Sequence, residues 1–459
     1  MAIVVRREAR ALPVINCIDY RNLRMQRHDQ LLQILLEEND GQGSQTSFAS
    51  LAMANGDIRV LPDEILAEIF QVGDFNPLAI GRVSRQFHYV AANTPQLWQC
   101  VPWHCIPQLP QIRQRVLRLY LNNSGGVSLA FHFPDDTFMD TFISEELRMD
   151  RGEKPPHVIR LAHLSHHGFN AALSEVLPLS RSLRSLSLQE VDPRSWGKFI
   201  LEAIWVRGLF TQLETLDLGF KTNWPRANFQ LRSDAQELPT LWSLALRRIP
   251  LPPQDYQRII KGCQNIKCLE VQIGVSRPPG FPVEPSVIVL PKLESFVLQH
   301  YLERPCFSIV APRLIKASFT STNGGPSPTF HHLSVCKQPP SNLVTLQICY
   351  HVPQSIHTLQ FLRTPAISAA LRTLNFRFTG AESSRHIFGL LEALRSDLGL
   401  CPELHKIDFE YGPFCTKKVM ERAVLPMIRA RKQAGMDLRV IWNRFELCDE
   451  ERWISIALA

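Results

Sequence analysis

Residues 183–188 read LRSLSL, residues 213–218 read LETLDL and residues 241–246 read LWSLAL. The same pattern, apolar at the first, fourth and sixth positions, returns from Ile266, Leu293, Leu314, Leu343, Leu371 and Leu404. The starts are 21 to 33 residues apart, about 28 on average. Self-similarity at this period marks stacked units, each a strand followed by a helix or turn, that bury a core only against their neighbours. Two earlier stretches, VLRLYL from Val116 and VIRLAH from Val158, read as less regular versions of the same unit.

The alternation of a strand supplies an independent test. The first, fourth and sixth positions define the repeat, so their apolarity proves nothing. The third, fifth and seventh positions were left free, and in a strand they fall on the opposite face. They read Ser185, Ser187 and Gln189 in one unit, and Lys406, Asp408 and Glu410 in another. Most are polar, and the charges are of mixed sign. A parallel sheet with one wet face predicts this, whereas a sheet covered on both faces would show continuous apolar runs. The segments PRSWGKFILEAIWVRG, PPQDYQRIIKGC and SSRHIFGLLEALRSDLG, between repeats, have helical apolar spacing. So does TKKVMERAVLPMIRARKQ, which Pro426 is expected to bend or split. SRPPGFPVEPS and TNGGPSPTF read as loops.

This pattern resembles the leucine-rich-repeat class, which implies an α/β solenoid over residues 104–459. One feature of that class is missing. The Asn expected eight residues after each start is missing, and the sites hold Val191, Lys221, Ile249, Gly274 and others. The Asn ladder that satisfies turn backbone in regular repeats is therefore absent.

A different texture precedes the repeats. Residues 59–70 read RVLPDEILAEIF, residues 82–87 read RVSRQF and residues 94–98 read TPQLW. Pro62 suits the first position of a helix, where an amide would be unpaired anyway. Asp63 and Glu64 then place negative charge at the positive end of the helix dipole. Ile65, Leu66, Ile69 and Phe70 form an apolar stripe. Phe87, Val90 and Ala91 continue a second pattern after Ser84, and Thr94 followed by Pro95 reads as a cap opening a last turn. Three short helices over residues 58–103 make a domain of marginal size, the kind that often needs a partner.

In order and spacing these stretches resemble the F-box motif, most closely its fungal form. Phe87 stands where many members have Trp, and Gln86 where a basic residue is frequent. The resemblance implies docking on the Skp-family adaptor of an SCF ubiquitin ligase, and through it on a cullin. Carried over, the adaptor-binding positions are Leu61, Pro62, Ile65, Ile69, Val83, Phe87 and Trp98. Sequence alone leaves open which of these touch a partner and which hold the helices together. Before this domain, residues 1–57 are expected to form one amphipathic helix over 18–38, followed by a flexible polar linker. The expected fold class is α+β overall: a three-helix F-box domain followed by a repeat solenoid with a parallel sheet.

Composition narrows the function classes. An apolar fraction of 45% with 20% charged residues is that of a folded chain. The net charge of +7 comes with no Lys/Arg run, which gives nucleic-acid binding no support. No apolar stretch is long enough to span a membrane, and the first ten residues are too short on apolar length for a signal peptide. Eleven cysteines without a CxxC pair suggest free thiols in a reducing compartment, so a cytoplasmic or nuclear address is expected. His331, His332 and Cys336 lie close in sequence, but zinc spacing is absent and no metal or cofactor is expected. The catalytic motifs GxxxxGK[ST], HExxH, GxSxG and GxGxxG are also absent, so no catalytic residue is named.

The implied function is that of a non-enzymatic substrate receptor in ubiquitin-dependent degradation. The F-box holds the adaptor and the solenoid holds an unknown target protein. The alternative is a non-catalytic protein-binding scaffold whose F-box is structural or unused. Candidate target-binding residues on the wet face are Asp217, Arg247, Glu270, Lys316, Arg377 and Asp408. Arg247, Lys316 and Arg377 suggest pairing with an acidic or phosphorylated peptide.

Overall fold

The computed structural model describes residues 61–73, 75–101, 109–133, 161–167, 174, 177, 182–192, 198–207, 209–221, 237–249, 251–273, 286–300, 307–321, 336, 340–350, 355–378, 383–411, 420–442, 445–447 and 453–455. The expected helix over 18–38, its linker and the His331–His332 pair lie outside these residues. The chain forms two compact units. The first contains the helices up to Cys100 together with residues 119–127, and the second contains Val101–Arg118 and the chain from Ser128 onward.

In the first unit α1 (Asp63–Val72), α2 (Pro77–Ile80) and α3 (Arg85–Ala92) are followed by a 3-10 turn at Pro95–Trp98. The Pro62 carbonyl accepts from the Ile65 and Leu66 amides at 3.1 Å, which starts α1 at the Leu-Pro turn. Asn76 caps α2 by accepting from the Leu78 amide at 2.9 Å, and Ser84 caps α3 by accepting from the Phe87 amide at 3.1 Å. Thr94 behaves differently from the expected cap. Its hydroxyl donates to the Val90 carbonyl at 2.7 Å and closes α3 instead. Pro95 has no amide to give, and the Leu97 amide already bonds the Thr94 carbonyl at 3.1 Å.

α4 (Pro110–Asn123) corrects the reading of VLRLYL as an early repeat strand. Leu117, Tyr120 and Leu121 are buried at helical spacing, while Leu119, which a strand would have turned inward, is 40% exposed. A short apolar run with polar residues between fits both periods, and tertiary burial decides between them.

The second unit is built on a mixed α/β arrangement. Among the described residues its main sheet has 14 strands, of which 12 are parallel. β1 (Leu129–Phe133) and β2 (Leu161–His167) lead into β3 (Ser185–Val191), β4 (Thr215–Phe220), β5 (Ser243–Ile249) and β6 (Cys268–Ile273). β7 (Ser286–Val289) leaves the sheet to pair with β9 (Phe307–Val310). The main sheet continues through β8 (Ser295–His300), β10 (Lys316–Ser321), β11 (Thr345–Tyr350), β12 (Thr373–Phe378), β13 (Lys406–Tyr411) and β14 (Arg439–Trp442). Each parallel strand lies beside the next one along the chain. Two short antiparallel strands, β15 (Phe445–Leu447) and β16 (Trp453–Ser455), end it.

All nine repeat starts are borne out as strands, each beginning two residues after the start. Their register is aligned: Leu186, Leu216, Leu244, Leu269, Phe296, Ala317, Leu346, Leu374 and Ile407 pair successively across the sheet. These side chains are all buried, as are the starting residues Leu183, Leu213, Leu241, Ile266, Leu293, Leu314, Leu343, Leu371 and Leu404.

The connecting helices include α5 (Lys198–Trp205), α6 (Pro253–Lys261), α7 (Ser355–Leu362), α8 (Pro365–Ala370), α9 (Ser383–Ser396) and α10 (Leu425–Gln433). Pro426 sits at the start of α10, just after a π-helical turn at Met420–Val424, so the expected split occurs there. α7 and α8 had no clear signal in the sequence.

One buried cation holds the helical side of the last repeats. Arg431 of α10 is fully buried and donates to the carbonyls of Leu394 and Cys401 at 3.0 Å, and to that of Leu400. These are carbonyls at and beyond the end of α9, where a helix leaves its acceptors without intrahelical partners. Replacing Arg431 with Met is expected to destabilise the chain by about 3 kcal/mol, because several buried acceptors lose a charged donor at once. Urea unfolding followed by circular dichroism measures this. Lys at 431 should not restore the midpoint, since an ammonium lacks the planar fork that reaches three carbonyls.

Candidate functional site

Two surfaces carry the residues singled out by sequence. On the first unit, burial separates them. Leu66 and Phe70 of α1 point inward, while Ile65 and Ile69 on the adjacent face are 39% and 44% exposed. Pro62 is exposed and Leu61 half-buried, so the Leu-Pro turn and the Ile65–Ile69 stripe stand on the surface. Val72 continues the stripe one turn on, and Val83 is 68% exposed. Exposed apolar side chains at i, i+4 and i+7 give a helix a face that water does not reward.

Phe87 and Trp98 sit elsewhere. The Phe87 ring packs edge-on against Phe70 at 5.1 Å and is half-buried. Trp98 is buried, its Nε1 donates to the Ala91 carbonyl at 2.7 Å, and its ring meets Tyr120 at 4.9 Å. Its side chain therefore organises the interior of the unit. Gln86 is structural too. Its amide donates to the Leu61 carbonyl at 3.2 Å and to Asp63 at 3.0 Å, tying α3 to the Leu-Pro turn. Exposed Val72, Phe75 and Tyr89 were missed by sequence reading. The helical phase of Val72 with Ile65 and Ile69 was the available signal.

On the second unit the third, fifth and seventh repeat positions line up in register. Three of the proposed residues come together. Asp217 and Glu270 lie at the same level of β4 and β6, and Ala245 of β5 stands between them. Arg247, one pleat further along β5, donates from Nη1 to Asp217 at 2.9 Å, and from Nε and Nη2 to Glu270 at 2.8 and 3.0 Å. Burial raises the Asp217 pKa above the ordinary carboxylate value, and Arg247 and the Gln189 amide work against that rise. Arg247 itself is held more firmly protonated, chiefly by its bonds to Glu270.

The backbone around this triad is irregular. β3 and β5 each carry a register shift, at Leu188/Val191 and at Arg247/Ile249. Within them Glu190 and Arg248 adopt φ of 56° and 58°. Such left-handed conformations cost a non-glycine residue about 1 kcal/mol each. Between the two bulges lies Gly219, where any Cβ would collide with the Gln189 amide oxygen.

The other three candidates are not part of this cluster. Lys316 is exposed and makes no ion pair among the described residues. Arg377 lies 3.6 Å from Glu410, and Asp408 lies 3.4 Å from Lys406. The expectation of three cations free for an anionic ligand thus meets a different arrangement: Arg247 already serves two carboxylates and Arg377 faces a third.

Nothing among the described residues assembles a metal site. The thiols of Cys263 and Cys336 are pushed up to about 12 and that of Cys401 to about 11 by burial, which disfavours the reactive thiolate. No helix among the described residues is long and apolar enough to cross a membrane. No protein-family model matches the chain, and no curated protein matches it significantly.

Two outcomes follow from these geometries. Trp98→Ala should destabilise the chain by about 3–5 kcal/mol, while Ile65→Ala should change stability by less than about 1 kcal/mol. Chemical unfolding of the two variants checks this separation of interior from surface. In the triad, Arg247→Gln removes the main influence opposing the burial effect on Asp217. Its carboxyl should then titrate at still higher pH, as followed by carbon NMR of Asp-labelled protein.

Proposed function

We propose that the chain is the substrate-recognition subunit of an SCF-type ubiquitin ligase. The observation that carries this reading is the sorted burial of the first unit. The residues of the F-box-like motif divide into an interior (Leu66, Phe70, Trp98) and an exposed apolar set (Pro62, Ile65, Ile69, Val83). A small helical unit that buries Phe70 and Trp98 and displays aliphatic side chains beside exposed Phe75 and Tyr89 suits docking on the helices of a Skp-family adaptor. Apolar anchors at such a contact carry most of the binding energy.

The second unit supplies the other half of the reading. Its sequential, in-register parallel strands suit a leucine-rich-repeat-like solenoid, and the polar face presents side chains to a target protein. The chain performs no bond chemistry in this scheme. It holds the target near a ubiquitin-charged enzyme recruited through the adaptor and cullin, which raises the effective concentration of a target lysine. The setting would be cytoplasmic or nuclear.

Co-expression with a Skp-family adaptor tests the proposal. The wild-type chain should purify as a stoichiometric complex. Ile65→Ala with Ile69→Ala should weaken the complex at least about 30-fold, since two exposed anchors are removed, while leaving the circular dichroism spectrum unchanged. Failure of the wild-type chain to bind the adaptor would overturn it.

A further inference from the structure

The exposed stripe of α1 carries charge as well as apolar surface. Ile65, Ile69 and Val72 are 39%, 44% and 69% exposed. Glu64 and Glu68 run along one side of them and are exposed too. With Asp63 they give α1 three acids and no base. Asp63 is held by Gln86, whereas neither glutamate has an ion-pair partner among the described residues. An apolar, negatively charged face of this kind selects an occupant that presents apolar and basic side chains on one side.

Residues 18–38 supply that combination. At helical spacing Arg24, Arg27, Leu31 and Ile34 fall at i, i+3, i+7 and i+10, on one side. Leu23 and Leu35 widen the apolar part of the same stripe. Of the acids in the segment, only Glu38 at its end falls on that side.

The connection favours the same chain over a second copy. Residues 39–60 join the segment to Leu61, which opens the turn into α1. A chain of these 22 residues spans roughly 25 Å. The ten residues of α1 run only about 15 Å. The tether therefore reaches the whole stripe, and it holds the segment at an effective concentration in the millimolar range. Three aliphatic side chains on so short a helix offer far less than the ~1,000 Å² that a specific association of free molecules requires. A tethered segment does not need that area. An adaptor that also engages Pro62 and Val83 would displace it.

We propose that residues 18–38 dock on the Ile65–Ile69–Val72 stripe of their own chain, with Arg24 and Arg27 beside Glu64 and Glu68, and that an adaptor binds by displacing them. The docking stands on the α1 face alone, whereas its role as a brake on adaptor binding rests on the ligase reading.

The test uses the full chain, without adaptor, carrying Ile69→p-benzoylphenylalanine. Illumination should join this position to residues 18–38 at the mass of a single chain, as read by peptide mass spectrometry. Leu31→Ser with Ile34→Ser and Leu35→Ser should lower the yield at least about fivefold. Glu64→Lys with Glu68→Lys should lower it as well, and adding Arg24→Glu with Arg27→Glu should restore it, which mere proximity would not do. In the chain without the photoreactive group, the triple Ser substitution should tighten binding of a Skp-family adaptor about fivefold, because the competent state is no longer covered. Circular dichroism verifies that every variant folds. Capture of residues outside 18–38, a product of twice the chain mass, no product, or a yield indifferent to these substitutions would each overturn the docking. Unchanged adaptor affinity in the triple Ser variant would overturn the brake. A captured segment in a chain that binds no adaptor sinks the ligase reading and the brake but not the docking, and adaptor binding without capture sinks this inference alone.

Discussion

The amide of Glu214 donates to the carbonyl of Arg184, that of Trp242 to Glu214, that of Lys267 to Trp242, and the series runs on through Glu294, Ile315, Val344, Arg372 and His405 to Arg439. Most of these carbonyls accept a second amide as well, from the residue that follows, as Arg184 does from Thr215. The ladder fixes each strand at the same level as its neighbour. Because side chains alternate along a strand, a slip of one residue would turn the buried leucines outward and the polar residues inward. Register therefore decides both the core and the face at once. The buried row through Leu186, Leu216 and Leu244 and the polar row through Asp217, Ala245 and Glu270 are two consequences of one alignment.

That alignment explains how a charged cluster forms from residues 23 and 30 positions apart in the chain. Asp217, Arg247 and Glu270 belong to separate repeats, and each alone is an unremarkable exposed charge. Stacking brings them to neighbouring strands, where partial burial makes their pairing geometry matter more than it would in water. The two bulges add to this, since each redirects the end of its strand. The smaller unit follows a different logic. There, short helices are set by local caps at Asn76 and Ser84 and joined by the Gln86 link to the Leu-Pro turn, and Trp98 and Phe70 fill the centre.

The reading of the chain as a receptor joins these two surfaces. One is apolar and exposed, which suits a lasting association driven by burial. The other is polar and partly self-paired, which suits discrimination among ligands, because buried polar groups penalise a partner that leaves them unmatched.

Period and alternation are local properties, so the sequence by itself determined the nine strands, their inward and outward faces and four of the connecting helices. It also located the helical unit ahead of them. The segment at Val116 shows the limit: its apolar spacing satisfies a helix and a strand alike, and only burial of Leu117, Tyr120 and Leu121 selects the helix. Thr94 shows it again, because a cap depends on which amides are left unpaired nearby. At the surfaces the missing information was pairing. Sequence could nominate Ile65 and Trp98 together as anchors, and Arg247 and Lys316 together as free cations. Tertiary structure alone put Trp98 inside and Ile65 outside, and bound Arg247 to two acids while leaving Lys316 exposed. The reason is that exposure and electrostatic partnership depend on neighbours distant in the chain, which no local pattern encodes.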